Sequence, residues 1–157
     1  MSQKFILLII LFGVVLVTGC VQQISQNNNN EISFIDMNEE LQLCIGSHIP
    51  SHKQEFVINS QKEYNSLLEF KSPADFCDDF KLPTIDFSQN TLLGKYTQGG
   101  GCSINFVRHI FKDDLNKKII YSIEVVEEGL CKKLGMSMNW ILTSKVPSDY
   151  SVEFQVK

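Results

Sequence analysis

The architecture follows mainly from residues that read CSINFVRHIFK at 102–112, DDLN at 113–116 and KKIIYSIEVVE at 117–127. Two long runs rich in β-branched and aromatic residues flank a short polar segment, which is the pattern of a β-hairpin. We therefore predict two antiparallel strands that are joined by a turn at 113–116.

The register of this hairpin is set by its apolar side chains, because a slip of one residue would move them all to the opposite face. Pairing Lys112 with Lys117 makes one face continuously apolar. The facing pairs are then Ile110 with Ile119, Phe106 with Ile123, and Ile104 with Val125. In the same register Cys102 lies opposite Glu127.

Alternation of apolar and polar residues predicts further strands on both sides of the hairpin. The clearest are 152–156 and 136–143, where Ile141 is the exception to the alternation. Earlier strands are predicted at 32–37, 41–45, 55–59 and 91–97. Most of the chain from Ile32 onward therefore favours β-structure.

The convincing helix signal lies at 61–70. Ser60 and Glu63 have the spacing of a capping box, and an apolar stripe follows, made of Tyr64, Leu67 and Leu68. Residues 71–90, with two prolines and clustered aspartates, predict a long loop. The predicted fold class is α+β, a mainly antiparallel β-sheet with one short helix packed on it.

The amino terminus carries a secretory signal. Lys4 precedes an uncharged apolar run at 5–17, which is shorter than the about 20 residues that a membrane-spanning helix needs. The residues at its end resemble the lipobox of prokaryotic lipoproteins: Val17, Thr18, Gly19 and Cys20. This resemblance implies cleavage before Cys20 and acylation of that cysteine with at least two chains, as stable attachment to a bilayer requires. An uncleaved signal anchor is the alternative.

We divide the chain into a lipoprotein signal peptide at 1–19, a flexible tether at 20–31 that begins with the lipidated Cys20, and one globular domain at 32–157. The tether is assigned from a polar composition rich in Gln and Asn, which leaves almost nothing to bury. The predicted location is extracytoplasmic, with the lipid anchor in the cell membrane or the outer membrane.

Composition disfavours two broad classes of protein. The 157 residues are 43% hydrophobic, which is too apolar for a disordered chain. Lys plus Arg number 14 against 18 Asp plus Glu, and no more than two basic residues are adjacent. Because nucleic-acid binding needs a basic surface, we expect no nucleic-acid partner.

Five cysteines are present, and setting aside the lipidated Cys20 leaves four. An even number in an exported domain predicts two disulfides, for which three connectivities exist. The hairpin register, with a reversal of the chain after the second strand, brings Cys131 alongside Cys102. The favoured pairs are Cys102 with Cys131 and Cys44 with Cys77. No two of these cysteines have the spacing of a zinc knuckle.

Histidines give weaker chemical predictions. His48 and His52 have the spacing of two ligands on a helix, but Pro50 lies between them and the Glu of the HExxH motif is absent. Exposed loop histidines are therefore favoured over a metal pair. His109 lies on the face of the hairpin opposite Ile110, and we expect it to be solvated.

Three other patterns lack a feature that their chemistry needs. The glycines at 99–101 are not followed by the Gly-Lys-Ser/Thr of a phosphate-binding loop, so they predict a turn. Four aspartates offer oxygen ligands suited to calcium without the spacing of an EF-hand: Asp75, Asp78, Asp79 and Asp86. No Gly-x-Ser-x-Gly motif marks a hydrolase nucleophile. We predict no metal, no cofactor and no catalytic residue.

Short motifs follow one another in a recognisable order between Phe56 and Val156. They are Phe56, Val57 and Ile58, then Glu63 and Tyr64, then Ile85, Asp86, Phe87 and Ser88, then Leu92, Leu93 and Gly94, the glycines at 99–101 and the long hairpin. This order resembles the domain of PrcB-like lipoproteins, a family named for an accessory subunit of a secreted protease complex. The family has Thr-Gly-Gly and an aromatic residue where this chain has Thr97, Gln98, three glycines and Cys102.

The resemblance implies an extracytoplasmic, non-enzymatic module that supports a partner protein, and it assigns no catalytic residues. Physical chemistry gives Asp86 and Ser88 a structural role, since both can hydrogen-bond nearby backbone where a buried strand begins.

The leading functional hypothesis is a membrane-anchored binding or accessory module, not an enzyme, whose ligands are the lipid bilayer through Cys20 and another protein. One alternative is a small extracytoplasmic hydrolase that uses His109 or His48, which requires a deep pocket around one of them. The other is a structural envelope lipoprotein, which the absence of any concave or apolar surface patch would favour.

Overall fold

The structure, a computed structural model, describes residues 30–46, 49 and 54–157. The predicted signal peptide, Cys20 and most of the tether lie outside the described residues, as do His48 and His52. The described elements are, in chain order, β1 (Phe34–Asp36), α1 (Asn38–Leu41), β2 (Glu55–Ile58), α2 (Gln61–Asn65), β3 (Asn90–Gly100), β4 (Ser103–Asp113), β5 (Lys118–Glu128), β6 (Leu134–Ser144) and β7 (Ser151–Val156). Short 3₁₀ helices lie at Ser66–Phe70 and Asp75–Cys77.

The strands of the described chain form two stacked sheets. The central sheet has the order β1-β6-β3-β2, and all its neighbours are antiparallel. The outer sheet has the order β4-β5-β7, in which β5 is antiparallel to β4 and parallel to β7. The predicted α+β class with a mainly antiparallel sheet is confirmed.

The central sheet is covered on both faces. On one face Leu92, Met138 and Trp140 pack against the helices and the long loop. On the other face Leu93 and Ile141 pack against the apolar side chains of the outer sheet, which include Ile110, Tyr121 and Ile123. Both faces of β6 are therefore buried near its middle, which explains why Ile141 interrupts the alternation of apolar residues.

The predicted hairpin is present, but its predicted register is wrong by two residues. Asp113 pairs with Lys118, so the facing pairs are Ile110 with Tyr121, Phe106 with Val125, and Ile104 with Glu127. The turn explains the difference, because Asp113 accepts a hydrogen bond from the backbone N–H of Asn116 at 3.0 Å and Lys117 adopts a left-handed φ of 51°. A shift of two residues leaves every side chain on its predicted face.

The strand predicted at 41–45 is wrong. Backbone N–H groups of Leu41 and Ile45 donate to the carbonyls of Met37 and Leu41, at 3.1 and 3.0 Å, so α1 is followed by further helical turns. Met37, Leu41 and Ile45 are all buried and recur every four residues. That spacing is typical of a helix, so the sequence itself contained a signal for a helix here.

Other element boundaries differ more modestly from the predictions. The strands at 32–37 and 55–59 are shorter than predicted, and α2 ends at Asn65, where a 3₁₀ helix takes over. The glycines at 99–101 do not form a turn as predicted, because the first two pair within β3 opposite Gly135 and Leu134. The chain reverses at Gly101, whose φ of 137° suits glycine.

Both predicted disulfides are confirmed. Cys44 and Cys77, with Cα atoms 5.6 Å apart, join the segment after α1 to the long loop. Cys102 and Cys131, with Cα atoms 4.7 Å apart, join the β3–β4 corner to the β5–β6 connection. The first bridge therefore braces the cover of the central sheet, and the second joins two connections that run between the sheets.

Candidate functional site

The central sheet extends beyond its helical cover at one end. In the β3–β6 ladder, Tyr96 faces Met138, Gln98 faces Met136 and Gly100 faces Leu134. All lie on the face of the central sheet that packs against the helices and the long loop. Met138 is fully buried, whereas Met136 and Leu134 are 59% and 60% exposed. We call the face formed by Tyr96, Leu134 and Met136 the end surface.

A groove of about 250 Å³ lies where the end surface meets the helical cover. It is lined by Gln42, Gly46, Ile49, Tyr96, Met136, Ser137 and Met138. This volume is below the range typical of pockets for drug-sized ligands, so it suits one or two side chains of a peptide.

Gln42 holds one wall of the groove in place. Its Oε1 accepts a hydrogen bond from the backbone N–H of Met138 at 3.0 Å, which ties the segment after α1 to β6. A Cβ at Gly46 would lie 2.3 Å from that Oε1 atom, so a side chain there would disturb the wall. The groove is therefore preformed by contacts between the cover and the sheet.

Exposed apolar and basic residues continue from the end surface into the β5–β6 connection. Leu130 is fully exposed in that connection, and it is followed by the exposed Lys132 and Lys133. Within the described residues neither lysine forms an ion pair. A contiguous apolar area with a charged border is typical of a protein-interaction surface.

The end surface lies far from the first described residue. Lys112 donates its backbone N–H to the carbonyl of Asn30 at 2.9 Å, which places the incoming chain at the turn end of β4. A Cβ at Gly135 would be 2.7 Å from Cδ1 of Ile104, so β6 starts beside the opposite end of β4. The length of β4 therefore separates the end surface from Asn30 by about 30 Å.

A wider groove lies between the edges of β2 and β7. It measures about 620 Å³ and is lined by Val57, Asn59, Lys145, Val146, Pro147, Ser148, Tyr150 and Val152. Nζ of Lys145 donates to the backbone carbonyls of Asn59 and Phe87, both at 2.9 Å. The cation thus serves to join the loops at this edge of the molecule.

The two predicted disulfides differ in accessibility. Cys44 and Cys77 are 4% and 0% exposed and lie in the cover that the helices and the long loop form over the central sheet. Cys102 and Cys131 are both exposed and lie next to Leu134 of the end surface. The site therefore includes one of the cysteine pairs that the sequence indicated, whereas the sequence did not indicate the groove.

His109 lies on the solvent-facing side of the outer sheet, as expected. Its Nδ1 is 2.8 Å from Oε1 of Glu31, and its ring stacks on Phe111 with centroids 6.1 Å apart. Ser122 faces His109 across the β4–β5 ladder, but no hydrogen bond joins the two side chains in the described part of the chain. The pair of Glu31 and His109 instead fastens the incoming chain, which the sequence assigned to the tether, onto β4.

Asp86 and Ser88 have the structural role predicted for them. Oδ1 of Asp86 accepts from the backbone N–H and the hydroxyl of Ser88, at 2.9 and 2.7 Å, and these hydrogen bonds lower the pKa of Asp86. The carbonyl of Asp86 accepts from Asn90, where β3 begins. Among the described residues no group of three or more His, Cys, Asp or Glu side chains could hold a metal ion.

Comparison of the chain with protein-family models, curated proteins and solved structures gives no match. The resemblance to PrcB-like lipoproteins therefore stays a prediction. In the described ranges, no helix has the length and apolar character needed to cross a membrane. The two intramolecular disulfides indicate an oxidising, extracytoplasmic compartment.

Proposed function

We propose that this protein is a membrane-anchored extracytoplasmic lipoprotein that acts as a non-enzymatic accessory module and binds another protein through the end surface. The observation that carries the binding role is the exposure of Met136 and Leu134 beside a preformed groove. Removing such side chains from water contributes about 25 cal/mol of favourable free energy per Å² of apolar area. Their exposure in the unbound domain therefore favours binding of a partner.

The proposed occupant is an extended segment of a partner protein. Apolar side chains of that segment would enter the groove beside Tyr96 and Met136, and acidic residues at its ends would face Lys132 and Lys133. Methionine suits this role, because its flexible thioether adapts to different apolar shapes.

The position of the tether supports a protein partner over a lipid surface. With Cys20 acylated, residues 20–29 span at most about 35 Å and lead to Asn30 at the turn end of β4. The end surface lies at the opposite end of that strand. The domain would therefore present the groove to the extracytoplasmic space, and the resemblance to PrcB-like proteins makes a secreted protease the first partner to test.

Site-specific photocrosslinking tests the binding role in intact cells. Benzoylphenylalanine placed at Met136 of the full chain should give an adduct with one discrete protein. The control position is Leu115, which is 95% exposed in the hairpin turn at the other end of the molecule. Adding Leu134→Glu to the chain that carries benzoylphenylalanine at position 136 should reduce the adduct at least five-fold, because the substitution places a charge in the apolar contact.

The outcomes are distinct. The proposal is supported if the adduct forms with the probe at position 136 but not at position 115. Leu134→Glu must also reduce it, and it must map to an apolar segment of the captured protein. Equal adducts at Met136 and Leu115, lipid adducts alone, or no adduct at Met136 would refute it.

The anchor is tested separately by the mass of the mature protein and by Cys20→Ser. The mature chain should begin at an acylated Cys20, and the variant should either leave the membrane fraction or retain its leader. An unmodified chain that still begins with Met1 and dissolves in the cytosol would rule out the lipoprotein assignment.

A further inference from the structure

Thiol–disulfide exchange requires a thiolate to reach one sulfur of the bridge, so exposure governs which disulfide reacts. Cys44 and Cys77 are almost completely buried, which shields their bridge. Cys102 and Cys131 are both exposed, and Cys102 precedes the end of β4 that is opposite to the end contacted by Asn30. The two bridges of one domain are therefore set apart by their access to solvent.

We propose that the bridge between Cys102 and Cys131 is a site of thiol–disulfide exchange with an extracytoplasmic dithiol, such as the paired cysteines of an oxidoreductase. Access alone would not distinguish its two sulfurs. The surrounding backbone does, because an N–H group and a glycine of the β5–β6 connection lie against Sγ of Cys102.

The Cys102 sulfur lies against two residues of the β5–β6 connection. The backbone N–H of Cys131 donates to Sγ of Cys102 at 3.2 Å. Gly129, with a φ of 77°, passes so close that a Cβ there would lie 2.5 Å from the same sulfur. The contact with Gly129 hinders attack on Cys102, and the N–H group stabilises a thiolate on it.

Cys131 is therefore the sulfur that is attacked and Cys102 the one that leaves. An incoming thiolate forms a bond to Sγ of Cys131 while the bond between the two cysteines breaks, and its electron pair remains on Sγ of Cys102. The second thiolate of the dithiol then attacks the mixed disulfide and releases Cys131. The bridge gains two electrons and two protons, and the dithiol is oxidised to a disulfide.

Nearby charges include both signs. Lys132 and Lys133 follow Cys131 and favour the approach of an anionic thiolate. Two acidic residues, Glu127 and Glu128, also lie nearby. The backbone carbonyl of Glu128 accepts from the N–H of Cys102, and Oε1 of Glu127 accepts from the backbone N–H of Gly100 at 2.7 Å. The carboxylate of Glu127 is thus turned toward the β3–β4 corner.

The sheets do not depend on this bridge for their pairing. The β4–β5 ladder reaches Ser103 and Glu128, and the β3–β6 ladder reaches Gly100 and Leu134. Opening the bridge removes the covalent link between Cys131 and the β3–β4 corner while both sheets stay paired. The backbone N–H of Gly101 still donates to the carbonyl of Lys133 at 3.1 Å. The exchange itself does not rest on the proposed binding function.

Reduction of the full chain, isolated with both bridges formed, tests this inference. Dithiothreitol is added without denaturant, the thiols are trapped with N-ethylmaleimide, and the modified peptides are quantified by mass spectrometry. Cys102 and Cys131 should be labelled at least ten times faster than Cys44 and Cys77, with an unchanged far-ultraviolet circular dichroism spectrum. Equal rates, earlier opening of the buried bridge, or reduction only in denaturant would overturn the proposal.

The direction of attack is tested with glutathione as a single thiol. Brief exposure should leave the mixed disulfide mainly on Cys131. In a matched pair of variants, the Cys102 thiol of Cys131→Ser, which keeps the backbone N–H, should have a lower pKa than the Cys131 thiol of Cys102→Ser. A mixed disulfide mainly on Cys102, or the reverse order of the two pKa values, would contradict the assigned roles.

Discussion

Two buried tyrosines show how one hydrogen bond changes the contribution of the same residue type. Tyr64 and Tyr121 are both fully buried, and burial raises the pKa of both phenols. The hydroxyl of Tyr121 donates to the backbone carbonyl of Asn139 at 3.1 Å. The hydroxyl of Tyr64 has no hydrogen-bond partner among the described residues.

Replacing each tyrosine with phenylalanine should therefore have different effects on stability. Tyr121→Phe removes a hydrogen bond and should lower the free energy of unfolding by about 1 kcal/mol. Tyr64→Phe removes a buried hydroxyl without a partner, so stability should stay within about 0.5 kcal/mol of the parent or rise. Urea denaturation measures both, and equal losses in the two variants would contradict this account.

Gly94 allows a close contact between β3 and an aromatic ring of β6. It faces Trp140 in the ladder, and a Cβ at Gly94 would lie 2.3 Å from Cζ3 of that ring. Trp140 is completely buried in the core cluster on this face, so its ring could move only by displacing other core side chains. The absence of a side chain at Gly94 is therefore required by packing.

Gly94→Ala should destabilise the domain by about 1–3 kcal/mol, which is the usual cost of overpacking a core. Gly100→Ala is the matched control, because the nearest atom to a Cβ there is the carbonyl oxygen of Lys133 at 3.8 Å. Thermal unfolding followed by Trp140 fluorescence compares the two variants. If Gly100→Ala were as destabilising as Gly94→Ala, packing against the ring would not be the cause.

At the scale of elements, α2 begins with the capping box that its sequence predicts. Oγ of Ser60 accepts from the backbone N–H of Glu63 at 3.3 Å, while Oε2 of Glu63 accepts from the N–H of Asn59 at 2.9 Å. The hydrogen bond from Asn59 is the largest of the interactions that lower the pKa of Glu63. The carboxylate form therefore stabilises the helix start.

Glu63→Gln should lose a pH-dependent part of this stabilisation, since glutamine accepts hydrogen bonds without carrying charge. Because the pKa of Glu63 is lower in the folded state, the carboxylate stabilises above its ordinary pKa of 4.5, and this contribution is lost as pH falls through the folded pKa. The parent should thus be more stable than the variant at pH 7, with a smaller difference at pH 3. Urea denaturation at both values measures this, and a constant difference would exclude a role for the charge.

The errors in predicting elements have local causes. The hairpin register differed because the Asx turn at Asp113 and the left-handed Lys117 displace the pairing by two residues. Apolar alternation sets the face of each side chain but tolerates a shift of two. The short helix α1 and the turns after it were missed because residues 41–45 read LQLCI. Leu41, Leu43 and Ile45 alternate as in a strand, while Leu41 and Ile45 also have helical spacing.

For the whole molecule, the two disulfides close loops of similar length but occupy different surroundings. Their sequence separations are 33 and 29, so the chain-entropy model assigns each about 3–4 kcal/mol. Removing the buried pair also leaves a cavity between the central sheet and its helical cover. The exposed pair has no such packing to lose.

The double variant Cys44→Ala/Cys77→Ala should therefore be less stable than Cys102→Ala/Cys131→Ala, by at least about 1 kcal/mol. Urea denaturation of both variants measures the difference. Equal stability, or a larger loss in the variant of the exposed pair, would show that burial does not distinguish the bridges.

Short-range chemistry in the chain was sufficient to predict the hairpin, the capping box and the role of Asp86, because each depends on neighbouring residues. The hairpin favoured pairing Cys102 with Cys131, which left Cys44 to pair with Cys77. The layering of the sheets and the parallel pairing of β7 with β5 required contacts between distant segments. The end surface is the clearest case. Met136 and Met138 occupy equivalent positions in the same alternating pattern, yet the first is exposed and the second is buried. Alternation reports which side chains share a face of a strand, whereas burial depends on where the covering segment near Gln42 ends.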